Sequence, residues 1–107
     1  MKQSAYHPFR SAKAREAYLA LYDQQAEHWP VPSETRMVET WYGQTFVRIS
    51  GAMDAQPLVL LPGASVSSLM WMPHMEALSA CCRTYAVDNI YDMGRSIYTI
   101  SNRHTTL

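Results

Sequence analysis
The amino-acid sequence predicts an α/β fold, in which an amphipathic helix leads into an antiparallel hairpin and then a parallel βαβ unit. Three observations carry that expectation. Aromatic and apolar residues recur at helical spacing between Ser11 and Trp29, two strand-like runs within residues 35–50 are split by a short turn, and the runs Leu58 to Leu61 and Thr84 to Val87 flank a helical segment. With 107 residues, 48% hydrophobic and 17% charged, the chain has the makeup of one globular domain. A domain this small buries roughly two-thirds of the surface its unfolded chain exposes, so a core is feasible but its stability margin is thin.

In the first element Ala14, Tyr18, Leu21, Tyr22, Gln25 and Trp29 share a face, while Lys13, Arg15, Glu16, Asp23 and Glu27 fall largely on others. Such a stripe marks core packing. Ser11 fits the N-cap, and Pro30 and Pro32 cannot continue a helix, which places the helix over residues 11–29. The hairpin, residues 35–50, comprises Thr35 to Trp41 and Gln44 to Ser50, with Tyr42 and Gly43 as its turn. In its second strand Thr45, Val47 and Ile49 alternate with Gln44, Phe46, Arg48 and Ser50, the pattern of a strand near a sheet edge with one better-buried face. Leu58 to Leu61 is apolar without alternation, as in a parallel strand covered on both faces, and it stops at Pro62 and Gly63. Met72, Met75, Leu78 and Cys82 then recur at helical offsets, with Pro73 in the first turn. Thr84 to Val87 ends at Asp88 and completes a right-handed βαβ unit over residues 57–88, and residues 89–107 read as loop and tail of the same single domain.

Nine basic and nine acidic residues give a formal charge of zero with no block of like sign, so neither a nucleic acid nor a membrane surface is expected as partner. No run approaches the roughly eighteen apolar residues of a membrane span, and Tyr6, His7, Pro8, Phe9 and Arg10 open the chain without a signal-peptide core. The expectation is a cytoplasmic protein. Cys81 and Cys82 are adjacent, so they form no disulfide framework and lack metal-ligand spacing; they read as small apolar fillers near a helix end. No metal and no cofactor is expected. His7, His28, His74 and His104 are scattered without a paired nucleophile and orienting carboxylate, which makes them surface or packing residues.

The segment Leu58 to Trp71, Leu-Val-Leu-Leu-Pro-Gly-Ala-Ser-Val-Ser-Ser-Leu-Met-Trp, is similar to the oxyanion-loop region of α/β-hydrolases of the carboxylesterase and lipase type. Arg83 to Ser96 resembles the next strand of that fold and its following loop, where an Asp and a later Gly-Arg-Ser element appear. Trp29 to Pro32 and the hairpin also fit, so the resemblance covers about residues 10 to 100 and implies the N-terminal part of an α/β-hydrolase sheet. It implies that the Ala64 amide is one oxyanion donor, with Gly63 allowing the turn and Ser65 steadying the loop. Acyl transfer needs such donors because its tetrahedral intermediate carries a negative oxygen, best held by preorganised N–H groups. The chain departs from the family at Pro62, where many relatives have His, and it contains no Gly-x-Ser-x-Gly nucleophile elbow. An ordinary strand-to-helix turn with capping serines is the plainer alternative for Pro62 to Ser68.

Two functional expectations follow. One is a truncated hydrolase whose family activity is hydrolysis of carboxylic esters, inactive as this chain and acting on a small-molecule ester only in a full-length parent. The other is a non-catalytic, self-associating module. The resemblance places Arg83 to Val87 between the hairpin and Leu58 to Leu61, which leaves Leu58 to Leu61 beside the strand that bears the family's nucleophile, and so predicts a homo-oligomer, simplest as a dimer, paired through that strand. A dinucleotide site is a weaker rival: Asp88 lies 25 residues beyond Gly63, but the fingerprint positions hold Gly63, Ser65 and Ser68, so two of its three glycines are missing.

Overall fold
In the computed structural model, which describes residues 4–90 and 92–100, the strand Gly43–Ser50 is the hub of a six-stranded sheet. The elements in chain order are β1 (Ser4–Tyr6), α1 (Ala12–Ala26), β2 (Ser33–Thr40), β3 (Gly43–Ser50), β4 (Gln56–Leu60), a 3-10 helix (Ser68–His74), α2 (Met75–Cys81), β5 (Cys82–Val87) and β6 (Ile97–Ile100). Along one edge β3 pairs antiparallel with β2 over its whole length. Its other edge is shared: Gly43 and Gln44 pair with β6, and Val47 to Ser50 pair with β5. The parallel strand β4 lies outside β5, with Leu58 opposite Thr84 and Leu60 opposite Ala86, and β1 lies outside β6. The expected α/β architecture is therefore present, with β5 between the hairpin and β4.

Local chemistry explains most element ends. The Ser11 hydroxyl accepts the Ala14 amide at 3.1 Å and caps α1, which ends at Ala26 rather than at Trp29. Turn hydrogen bonds from His28 to Gln25 and from Trp29 to Ala26 unwind the chain ahead of Pro30, and the Trp29 indole donates to the Ser50 hydroxyl at 3.0 Å. The hairpin turn is Trp41–Tyr42, one residue earlier than expected, because Thr40 pairs with Gly43. Gly43 has φ +132°, and a Cβ there would lie 1.8 Å from the Ile97 carbonyl oxygen, so this crossing of β3 and β6 admits only glycine. Pro73 falls in the 3-10 helix, ahead of α2 rather than in its first turn, and Cys82 opens β5 instead of ending the helix.

One face of the sheet carries the core. Trp29, Leu60, Met75 and Ala86 are buried together with Leu58, Leu69, Trp71 and Leu78 packed around them, and Leu19, Tyr22 and Phe46 form the adjoining cluster under α1. Leu21, expected in the α1 stripe, is exposed, and Leu19 takes its place. Two burial expectations are corrected. β3 is buried on both faces, Phe46, Arg48 and Ser50 on one and Val47 and Ile49 on the other, because it is a central strand and not an edge. β4 is not covered on both faces: Leu60 is buried, but Val59 and the following Leu61 are 60% and 64% exposed on the side that the described helices leave open, and the strand lies at the sheet edge where the resemblance leaves it. Residues 97–100, expected as tail, form β6, and Ser101 to Leu107 lie outside the described residues.

Candidate active-site loop
The loop from Pro62 to Ser67 leaves the end of β4 and delivers the chain into the 3-10 helix, whose first turn is capped by the Ser67 hydroxyl accepting the Leu69 amide at 3.2 Å. Its left-handed residue is Ser65, with φ 64°, the single positive value among the described non-glycine residues. Side chains outside avoid that conformation, so something must hold it. Asp92 does: the Ser65 amide donates to both carboxylate oxygens at 3.1 Å. Gly63 has no positive φ, a Cβ there would meet only Val66 at an ordinary 3.6 Å, and its amide points to the Met70 sulfur at 3.3 Å. Between them Ala64 is exposed, and no described residue accepts its N–H.

The base of the loop is fixed by Asp88, which is fully buried at the end of β5. One carboxylate oxygen accepts the Ser68 amide at 2.7 Å, and the other accepts the Tyr22 hydroxyl at 2.7 Å and the Arg95 amide at 2.8 Å. A carboxylate withdrawn from water is tolerable only with donors of this kind around it. The Asp88 backbone is used as well, its N–H donating to the Phe46 carbonyl at 3.0 Å and its carbonyl accepting the Ser96 hydroxyl at 2.6 Å, while that hydroxyl accepts the Phe46 amide at 2.7 Å. Burial, with the Asp88 charge beside it, pushes the Tyr22 hydroxyl well above the usual tyrosine range, so it stays a donor. One residue along the helix, Asp23 is bound by Arg95 through Nε at 2.8 Å and through Nη2, and that pairing holds its carboxyl below the usual range.

Of the residues singled out in sequence, Gly63, Ala64 and Ser65 thus sit together in one exposed turn, with Asp92 and Asp88 behind it. Asp88 is visible in sequence as the residue that ends a strand, but the partners of Asp88 and Asp92 are not: Tyr22 is 66 positions from Asp88 and Ser65 is 27 from Asp92. His7 and His28 are remote from this turn in sequence, His74 ends the 3-10 helix that follows it, and none of the three bonds to it, while His104 lies outside the described residues. Cys81 is exposed with its sulfur 3.6 Å from that of Cys82, so the pair is not core filler. Among the described residues no cluster of metal-ligating side chains occurs, and no helix is long and apolar enough to cross a membrane.

No protein-family model matches the chain. Carboxylesterase YbfK of Bacillus subtilis (strain 168) is 42% identical over 89 residues, which span 83% of this chain and 30% of that protein. The crystal structure of carboxylesterase CesB (YbfK) from Bacillus subtilis matches with a TM-score of 0.79 at 41% identity, over 81% of this chain and 30% of that one. The chain belongs to the α/β-hydrolases, as an N-terminal portion of their fold. A second similar structure, naproxen esterase (carboxylesterase NP) from Bacillus subtilis, matches this α/β-hydrolase portion with a TM-score of 0.77 at 43% identity, over 85% of this chain and 32% of that one. The hydrolase portion therefore spans about a third of the length of the proteins it matches, which are named for ester hydrolysis.

Proposed function
We propose that residues 62–68 are the oxyanion loop of a carboxylic-ester hydrolase and that the Ala64 N–H is one of its two oxyanion donors. The observation that carries this is the state of the Ala64 amide: exposed and unclaimed, in a turn whose neighbouring amide is held by Asp92 and whose base is held by Asp88. A donor fixed in place before charge develops stabilises the tetrahedral intermediate without reorganising as the reaction proceeds. The sequence has no Gly-x-Ser-x-Gly, so nucleophile and second donor are not supplied by these residues. On this reading the 107-residue chain does not turn over esters by itself, and in a longer hydrolase carrying the elbow Ala64→Pro lowers transition-state stabilisation by about 2.7 to 4 kcal/mol. A p-nitrophenyl ester assay tests both statements. Turnover by the 107-residue chain, abolished by a serine-directed inhibitor, refutes the first; a longer enzyme that stays folded and fully active with Ala64→Pro refutes the second. A cytoplasmic location belongs to the same reading.

The open edge of β4 favours a second reading, self-association. Val59 and Leu61 are exposed beside a strand that pairs only with β5 among the described residues, and such an edge recruits another strand. The partner in this reading is a second copy paired antiparallel about a two-fold axis. By contrast β2, the opposite edge, carries Glu34, Arg36 and Glu39, charges that discourage pairing. Sedimentation at tens of micromolar should give a dimer or larger species. A folded monomer in which the amides of residues 58–61 exchange freely excludes it.

A further inference from the structure
Arg48 is 7% exposed, and its Nε is buried with no hydrogen-bond partner. Its guanidinium lies 5.2 Å from the ring centres of both Trp29 and Phe46, and no carboxylate among the described residues lies within ion-pair distance of it. Aromatic faces offset part of the cost of burying a cation, but they offer no acceptor for its N–H groups. The same residue lines an open surface cleft of about 460 Å³ together with Asp23, Ala26, Glu27, Thr35, Phe46 and Arg95. Asp23 feels the Arg48 charge, but its oxygens are hydrogen-bonded by Arg95, so among the described residues Arg48 has no carboxylate paired to it.

We propose that this cleft binds a small monocarboxylate, with the carboxylate against the fork of Arg48. The sealed Nε cannot reach a ligand, so the two parallel hydrogen bonds of a guanidinium–carboxylate pair come from the terminal Nη1 and Nη2 groups of Arg48. The nearby carboxylates of Asp23 and Glu27 disfavour a doubly charged anion such as phosphate, and Phe46 and Ala26 give a short hydrocarbon tail an apolar wall. Occupancy of the cleft does not depend on ester chemistry, so binding succeeds or fails whatever becomes of Ala64.

The test is a titration of the ¹⁵N-labelled full chain with sodium butyrate against sodium chloride at matched ionic strength, followed at the Arg48 Nε–H and the Trp29 indole N–H. Both resonances should shift and saturate with a dissociation constant in about the millimolar range. Inorganic phosphate should bind about tenfold more weakly. Arg48→Lys keeps the charge but loses the fork, and should weaken binding by about tenfold or more. Because that change also disturbs the stack on Trp29, Thr35→Glu on the exposed strand β2 is the second variant: it offers Arg48 an internal carboxylate and should abolish butyrate binding in a folded chain. Shifts that stay linear and match chloride, or a Thr35→Glu chain that still binds butyrate, overturn the site. Phosphate binding as tight as butyrate overturns the carboxylate assignment.

Discussion

At the scale of single residues, Asp88 joins α1, the 3-10 helix and the loop before β6, and two neighbours show how tightly. A Cβ on Gly94 would lie 2.5 Å from the Asp88 carboxylate, so Gly94→Ala must displace the group that holds Ser68 and Tyr22. The expected cost is about 1 to 3 kcal/mol, seen as a lower urea midpoint at unchanged m-value. Tyr22→Phe removes one donor from a buried carboxylate and should cost about 1.5 to 3 kcal/mol in the same measurement. An unchanged midpoint for either variant would show that Asp88 is not the tie described. What the sequence reveals here is uneven. Asp88 at a strand end and Tyr22 on a helix face are each legible, whereas their meeting, and the lack of an ion-paired carboxylate for Arg48 among the described residues, arise only once β3 and α1 are packed. No local pattern encodes an unpaired charge.

Among the elements, the hairpin and βαβ unit were legible because their strands are short runs of β-branched and apolar residues bounded by turn formers. β6 was not. Ile97 to Ile100 is four residues long and pairs with β3 only through Gly43 and Gln44, so its existence depends on tertiary neighbours rather than on period. The end of α1 is not legible, because Trp29 continues the helical stripe in sequence while reaching the core from a turn. The start of α1 rests on a single side chain. Ser11→Ala should therefore cost about 1 kcal/mol and fray the first turn, with faster amide exchange confined to residues near Ala14. Uniform loss of protection along the helix would argue against a local cap.

For the whole molecule, pH dependence follows from Tyr22. Its folded-state pKa is raised above the ordinary 10.0, so below that pH both folded and unfolded forms keep the proton and stability is indifferent to it. As pH rises past 10.0 the unfolded chain releases a proton that the folded one retains, and stability falls. Denaturant midpoints measured upward from pH 9 should decline along this limb, and Tyr22→Phe should make the decline shallower; parallel declines in both proteins would assign the limb to other groups. The shared strand β3 has a further consequence, in time rather than energy. Three strands need it as a template, and only β2 reaches it through a two-residue turn, so the hairpin is the one pairing able to form within microseconds of collapse. β5 must then close a loop past the 3-10 helix and α2, and the pairing of Ser4 with Ile100 must draw the two most distant described positions together. Loop closure thus favours the hairpin as the early pairing and makes the β1–β6 ribbon, with its ends furthest apart in sequence, the costliest one to close.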